Sequence, residues 1–233
     1  VLCGELANAT VENIYAENCV VTGARYSGLL IGAVGTKGVA TVRNCWVKGG
    51  SIYGSQQVAA IMGVAENDCT IEFCGTSADV TGQFGIGGIL GIYYNAATGT
   101  GTVTIKKAGK HKIVKNCVVW SDKIWCDAVT AGDLSHYSSG IVVGTARKGE
   151  APYTFMNCVY RSGIKFQDYT DLNPLVDSPN VENGAVAQAA AGGDHNYPWN
   201  GVASTAKTAS EAAKALGWDE AIWDLSGDEP KLK

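Results

Sequence analysis

A short phrase with a cysteine at its centre occurs five times along the chain, and this repetition limits the folds that the sequence can adopt. The copies are E-N-C-V-V-T-G (17–23), R-N-C-W-V-K-G (43–49), E-F-C-G-T-S (72–77), K-N-C-V-V-W-S (115–121) and M-N-C-V-Y-R-S (156–162). Consecutive cysteines are separated by 26, 29, 43 and 41 residues. Repeats of this length are typical of architectures in which one structural unit stacks on the next.

A second phrase, apolar and closed by glycine, follows each of the first four cysteines. Its copies are S-G-L-L-I-G (27–32), V-A-A-I-M-G (58–63), G-G-I-L-G (87–91) and S-G-I-V-V-G (139–144). Runs this short, rich in β-branched residues and bracketed by glycine, favour buried strands over turns of helix. No Asn-Gly or Asp-Gly pair lies within the repeats, so two-residue hairpins are not predicted. The sequence therefore predicts an all-β fold in which parallel strands form a coil, with one turn for each repeat.

In such a coil, equivalent positions of successive turns stack about 4.8 Å apart. We therefore expect the central cysteines to form one internal column, made of Cys19, Cys45, Cys74, Cys117 and Cys158. An asparagine precedes four of them, and we expect it at a bend where stacked side-chain amides bond to one another. The column thiols are expected to be reduced, because parallel Cβ atoms at this spacing suit a disulfide poorly. The remaining cysteines, Cys3, Cys69 and Cys126, fall outside the column.

The composition supports a folded core and excludes several classes of partner. Apolar residues make up 46% of the chain, charged residues make up 17%, and the net charge is −4. No basic stripe is present, so nucleic acid is not a predicted partner. No apolar run is long enough to cross a bilayer, so the chain is not predicted to span a membrane. The cysteines and histidines show no spacing typical of metal ligands, and neither a metal nor another cofactor is predicted. The oligomeric state is left open.

The C-terminal part carries the one clear helix signal. Thr208 and Glu211 stand at the spacing of a capping box, and a short helix is predicted from Ala209 to Leu216, ended by Gly217. We expect this helix, followed by Trp223, to cap the open end of the stacked strands. The chain is thus interpreted as parallel repeats over 1–169. Residues 170–233 then form an irregular loop, late strands and a cap of the same domain.

The two alternating phrases resemble the GLUG motif, a repeat of bacterial extracellular proteins. The glycine-closed runs at 28–32, 59–63, 87–91 and 140–144 match one half of the motif, and the pairs at 18–19, 44–45, 73–74 and 116–117 match the other. The final segment, 216–233, is similar to the close of such proteins from Bacteroidetes. The resemblance implies a right-handed parallel β-helix, or β-solenoid, of about five irregular rungs. It also implies an adhesin-like protein that is secreted or associated with the outer membrane at the cell surface.

The best sequence candidate for a ligand site is the segment G-D-H-N-Y-P-W-N-G at 193–201. Aromatic faces can stack on the C–H groups of a sugar, while amides and carboxylates bond to its hydroxyls. The predicted ligand-binding residues are Asp194, His195, Asn196, Tyr197, Trp199 and Asn200. Trp120 and Trp125 offer the same choice between sugar binding and packing, whereas Trp218 and Trp223 are predicted to pack in the cap. The favoured function is a non-catalytic module that binds a glycan or a host surface protein.

Two other functions stay open. A carbohydrate-active enzyme, either a polysaccharide lyase or a glycoside hydrolase, would need carboxylates or bases that meet in a groove. The candidates are Asp122, Asp127, Asp133, Asp168 and Asp171, with Lys123, Arg147 and Arg161 as bases or as contacts to uronates. The segment D-L-S-H (133–136) could in principle contribute to a hydrolase triad. A triad is recognised by its geometry rather than by closeness in sequence, and a polar loop explains the same residues. No catalytic residue is predicted, and the third possibility is a structural spacer within a larger surface protein.

Overall fold

A computed structural model describes residues 2–35, 38–93, 112–127, 139–144, 153–167 and 201–233. The described chain is mostly β-strand, arranged in parallel sheets, and has one short α-helix, α1 (Ala209–Ala215). The strands are β1 (Cys3–Leu6), β2 (Ala9–Glu17), β3 (Val20–Gly28), β4 (Ile31–Val34), β5 (Ala40–Lys48), β6 (Ser51–Ala59), β7 (Met62–Ala65), β8 (Cys69–Glu72), β9 (Gly75–Thr76), β10 (Asp79–Gly87), β11 (Leu90–Tyr93), β12 (Lys112–Lys115), β13 (Val118–Val119), β14 (Lys123–Cys126), β15 (Tyr153–Met156), β16 (Val159–Arg161), β17 (Lys165–Gln167), β18 (Val202–Ser204), β19 (Trp223–Asp224) and β20 (Lys231–Leu232). No helix in the described part of the chain is long and apolar enough to cross a bilayer.

All the strands except β19 and β20, which pair antiparallel with each other, form three parallel sheets that the chain visits in a fixed order. Sheet A contains β1, β4, β7 and β11, and sheet C contains β3, β6, β10, β14 and β17. Sheet B contains the other parallel strands, namely β2, β5, β8, β9, β12, β13, β15, β16 and β18. As far as β11 the chain passes from sheet A to sheet B to sheet C and then back to sheet A. Residues from all three sheets, among them Ile31, Val42 and Ile52, share one buried cluster.

The cysteine column exists, but it has four members rather than five. Register pairs on both sides of each bend align Cys45 with Cys74, Cys74 with Cys117, and Cys117 with Cys158. All four are buried in the cluster between the sheets. In the first turn, however, the partner of Cys45 is Ile14.

The prediction for Cys19 is therefore wrong, and the reason lies in the backbone. Asn18 and Cys19 stand beside Gly49 and Gly50, since Glu17 pairs with Lys48 and Val20 pairs with Ser51. Asn18 (φ 53°) and Gly49 (φ 56°) both have the left-handed conformation, which glycine and asparagine adopt most readily. The Asn-Cys phrase at 18–19 thus belongs to the next corner of the chain.

The residue before each column position forms the predicted bend. The five residues share φ values of 52° to 56° and are Asn13, Asn44, Phe73, Asn116 and Asn157. Stacking of the amides is confirmed for one pair, because Asn157 Nδ2 donates to Asn116 Oδ1 at 3.2 Å. Phe73 interrupts the amide stack between Asn44 and Asn116. The bend also resets the strand alternation, so that Cys45 faces the core while Trp46 faces outward.

None of the eight cysteines is in a disulfide, as expected for the column. Within the column, Cys45 Sγ and Cys117 Sγ each donate to a backbone carbonyl two residues earlier, at 3.2 Å. Burial raises the pKa of the Cys74 and Cys117 thiols well above its ordinary value. Because the thiolate is the reacting species, Cys74 and Cys117 should be chemically inert near neutral pH. The side-chain hydrogen bond with Cys74 lowers the pKa of the Cys45 thiol, so Cys45 is protected by its burial alone.

We expect iodoacetamide at about pH 8 to modify only the two half-buried cysteines, Cys3 and Cys19, in the native protein. Partial burial raises the pKa of Cys3, which slows its reaction. Peptide mass spectrometry would locate the labels, and denatured protein provides the fully labelled control. Protection of Cys19 together with Cys45 would contradict the register and restore the column of five.

The capping box and the helix are confirmed. The backbone N–H of Glu211 donates to Thr208 Oγ1 at 3.1 Å, and Glu211 Oε2 accepts from the N–H of Lys207 at 2.8 Å. Leu216 is the C-cap, and Gly217 follows with φ 74°. This pairing of a polar N-cap with a C-terminal glycine fixes both ends of α1.

The predicted position of this segment over the end of the stack is wrong. Its apolar residues pack against the outer face of sheet B, where Ala212, Ala213 and Trp218 share a buried cluster with Trp46 and Val118. Trp218 Nε1 donates to Asn116 O at 3.0 Å. Farther along, Glu229 Oε2 accepts from Trp46 Nε1 at 3.1 Å. The bend explains this location. It turns the residue after each column cysteine outward, and the apolar side chains at these positions, such as Trp46 and Val118, are buried by the C-terminal segment.

Candidate functional site

The outward surface of sheet C is the best described candidate for a binding site. The first part of each strand alternates: Val21, Ile52, Val80 and Ile124 point into the core, and their neighbours point away from it. We call the outward set the sheet C face; it consists of Val20, Thr22, Ala24, Ser51, Tyr53, Ser55, Asp79, Thr81, Gln83, Lys123, Trp125, Asp127, Lys165 and Gln167. The face is rich in hydroxyl, amide and charged groups and carries two aromatic rings.

The two aromatic residues stand in one column across the strands. Thr81 pairs with Tyr53 on one side and with Trp125 on the other, and Trp125 pairs with Gln167. Tyr53 and Trp125 are thus two strands apart, which corresponds to about 9.6 Å. Tyr53 is 39% exposed, and neither ring belongs to a hydrophobic cluster of the described residues. Aromatic rings presented in this way offer stacking surface to a ligand.

A carboxylate closes one side of the aromatic column. Asp127 lies two residues beyond Trp125, on the same side of the sheet as that ring. Burial raises the pKa of the Asp127 carboxyl above its ordinary value, while the interactions with the Tyr53 side chain and with the charge of Lys123 act in the opposite direction. Asp127 Oδ1 is buried without a hydrogen-bond partner in the described part of the chain. The carboxylate therefore stands beside the aromatic column with an acceptor atom that no described residue uses.

A second column of the face is charged. Asp79 Oδ1 accepts the backbone N–H groups of Asp122 and Lys123 at 3.1 and 3.0 Å, which fixes the entry into β14. Lys123 then pairs in register with Lys165 of β17. At the same edge, Arg161 bonds to the exposed carboxylate of Asp122 at 2.7 Å. One end of the face is therefore cationic.

Some of the site residues predicted from the sequence lie within the described residues, and others do not. The predicted ligand-binding residues Asp194, His195, Asn196, Tyr197, Trp199 and Asn200 lie outside the described residues. So do Asp133, Ser135, His136, Arg147, Asp168 and Asp171. Trp120 packs beside the cluster under the C-terminal segment, whereas Trp125 lies on the sheet C face. Trp218 and Trp223 pack against each other, with ring centroids 5.1 Å apart, as their assignment to packing predicted.

Asp122 and Asp127, the two described members of the acidic candidates, do not form a catalytic pair. Asp122 and Asp127 lie at opposite ends of β14, and five residues of extended chain place them roughly 16 Å apart. That distance exceeds the separation found between the two carboxylates of glycosidases. Within the described ranges, no group of three histidine, cysteine or acidic residues could hold a metal ion.

Sequence reasoning missed Tyr53, Thr81 and Lys165. A signal for them was present, because S-I-Y-G (51–54), D-V-T-G (79–82) and K-I-W-C (123–126) each alternate polar and apolar residues. Such alternation indicates a strand with one solvent-facing side. The missing information was the register that places these short strands next to each other.

Comparisons with known proteins add no relative. The chain matches no protein-family model, and neither the curated proteins nor the solved structures gave a significant match.

Proposed function

We propose that the three sheets form one right-handed parallel β-helix, and that the chain is a non-catalytic, adhesin-like module that binds glycans on its sheet C face. Support for the fold comes from the fixed A-B-C order of the strands and from the core that all three sheets share. The resemblance to GLUG-motif proteins supports an extracellular location, secreted or at the outer membrane of a Bacteroidetes-type cell. A host glycoprotein would be recognised through its sugar chains.

The placement of Tyr53 and Trp125 carries the proposal. Two rings two strands apart, about 9.6 Å, can stack on alternate sugar units of an extended chain that lies across the strands. Thr81 stands between the rings, and its hydroxyl can bond to the intervening unit. The polar side chains around the column supply donors and acceptors to the sugar hydroxyls, which is how carbohydrate specificity is set.

Replacement of Trp125 by alanine should weaken glycan binding at least about tenfold, or about 1.4 kcal/mol, because the stacking surface is lost. Tyr53→Ala should have a similar effect. The matched control is Val20→Ala, which removes an apolar side chain that is 75% exposed on the same face but lies outside the aromatic column. Binding is measured by isothermal titration with ligands chosen from a glycan array.

Each alternative function gives a different result in this experiment. Glycan release from soluble polysaccharides would indicate the carbohydrate-active enzyme. Absence of binding to every glycan by the wild-type protein would refute the proposal and favour the structural spacer. If both aromatic variants still bound the glycan with wild-type affinity, the binding site would not be on the sheet C face.

A further inference from the structure

Two lysines at the end of the sheet C face, Lys123 and Lys165, stand opposite each other, unlike the charged pairs of sheet B. On sheet B, cations stand in register with carboxylates: Arg43 pairs with Glu12 and Lys115 pairs with Glu72. Both pairs form ion pairs, at 2.6 and 2.8 Å. On sheet C, by contrast, Lys123 stands in register with Lys165. Like charges placed directly opposite each other destabilise a sheet.

Carboxylates stand near these two lysines in the described part of the chain, and the charge of Lys123 acts on the carboxylate of Asp127. Neither Lys123 nor Lys165 forms an ion pair there, although three lysines elsewhere, Lys48, Lys115 and Lys214, do. Asp79 stands on the other side of Lys123, but its Oδ1 is bonded to two backbone N–H groups. Asp127 lies two positions beyond Trp125 and forms no ion pair with either lysine. The lysine pair therefore holds two ammonium groups in register, and neither is matched by a direct ion pair in the described part of the chain.

The position of the pair relative to the rings indicates what could neutralise it. Lys123 and Trp125 are two residues apart on one strand and face the same side, so they are roughly 6.6 Å apart along the strand. Lys165 and Gln167 repeat this spacing on the next strand. An aromatic ring with an ammonium group beside it can contact a sugar ring and an acidic group attached to that ring. One ligand could then both neutralise the lysine charge and stack on the aromatic ring.

We infer that the glycan bound by the sheet C face is anionic, with a carboxylate or sulfate group on the sugar unit that stacks on Trp125. This inference rests on the proposed function and adds its ligand class. The acidic group bridges Lys123 and Lys165, and the chain continues across Thr81 toward Tyr53. The cation–anion contact is electrostatic, so affinity should fall steeply as salt concentration rises.

The test compares three ligands by isothermal titration: a neutral glucan, polygalacturonate as the carboxylated chain, and dextran sulfate as the sulfated chain. We expect either acidic chain to bind at least about tenfold more tightly than the glucan at roughly 50 mM salt, with the difference shrinking at about 500 mM. A preference for polygalacturonate or for dextran sulfate identifies the source of the charge. Equal affinity for the glucan would overturn the inference and leave the proposed function standing, whereas failure of all three to bind would count against both.

Lys165→Glu separates a binding role from a structural role. In the apo protein this substitution creates a cross-strand ion pair with Lys123, like the Lys115–Glu72 pair, so the melting temperature should stay equal or rise. Binding of the acidic glycan should nevertheless fall at least about tenfold. Lys231→Glu, which makes the same change of charge at an exposed cation on β20, is the charge-matched control and should bind like the wild type. Unchanged affinity of Lys165→Glu would overturn the inference.

Discussion

Replacement of Gly63 by alanine should destabilise the protein by more than about 4 kcal/mol, a large fraction of the stability of an ordinary domain. A methyl group on Gly63 would lie 2.6 Å from the backbone nitrogen of Ser27 and 2.7 Å from the carbonyl oxygen of Gly32. Both atoms belong to the backbone of other strands, so no side-chain rotation can relieve the contact. The closing glycine of each apolar phrase thus marks a place where sheet A touches the corner that follows sheet C.

The same glycine column provides a matched control. Register aligns Gly4, Gly32, Gly63 and Gly91, but a methyl group on Gly4, at the edge of sheet A, would meet nothing within 4 Å. Gly4→Ala should therefore change the free energy of unfolding by less than about 0.5 kcal/mol. Urea unfolding monitored by circular dichroism would measure both variants. Equal stability of the two would show that the sheets are not packed as described.

Structural features could be predicted from the sequence where a local backbone conformation requires one particular type of residue. Asparagine before the cysteines marks the left-handed bend, glycine marks the close backbone approach, and Thr208 with Glu211 marks the start of α1. Each of these features depends on the chain within a few residues. The parallel strands and four members of the cysteine column followed from such features.

The errors arose where the correct partner is set by register. The segment E-N-I-Y-A-E-N-C (12–19) contains two asparagines, and both have positive φ. Aligning the repeats on their cysteines selected the second asparagine, Asn18. The register shows that the first one, Asn13, occupies the bend next to the position that pairs with Cys45. Isoleucine replaces cysteine there because the position requires only an apolar side chain. The register then became visible only from pairs along the whole of β2 and β5.

The candidate site was missed for the same reason. Tyr53 and Trp125 are 72 positions apart in the sequence and become neighbours only through the strand that contains Thr81. Sequence reasoning sought aromatic residues that lie close together in one segment, and therefore favoured 193–201. A face built from one residue of each turn leaves no local signal beyond the alternation of its strands.

Replacement of Trp46 by alanine should cost about 3–5 kcal/mol and release the C-terminal segment from sheet B. Trp46 is fully buried, its ring lies 6.0 Å from that of Trp218 in an edge-on arrangement, and its Nε1 donates to Glu229. Loss of the ring leaves a cavity between the sheet and residues 209–223 and removes one bond of the Glu229 carboxylate, which retains Ser77 at 2.7 Å. Limited proteolysis should then cut the C-terminal segment, and urea unfolding should report the loss of stability.

Trp125→Ala is the matched control for this substitution, because each tryptophan lies on the outward side of a parallel sheet and only Trp46 is covered by the C-terminal segment. Trp125→Ala should alter the free energy of unfolding by less than about 1 kcal/mol yet weaken glycan binding. Trp46→Ala should do the reverse, and should bind glycan normally at urea concentrations below its unfolding transition. If both variants lost stability equally, the sheet C face would be a packing surface. In that case Trp125 would have the same structural role as Trp46, and the aromatic column would no longer be available to a ligand.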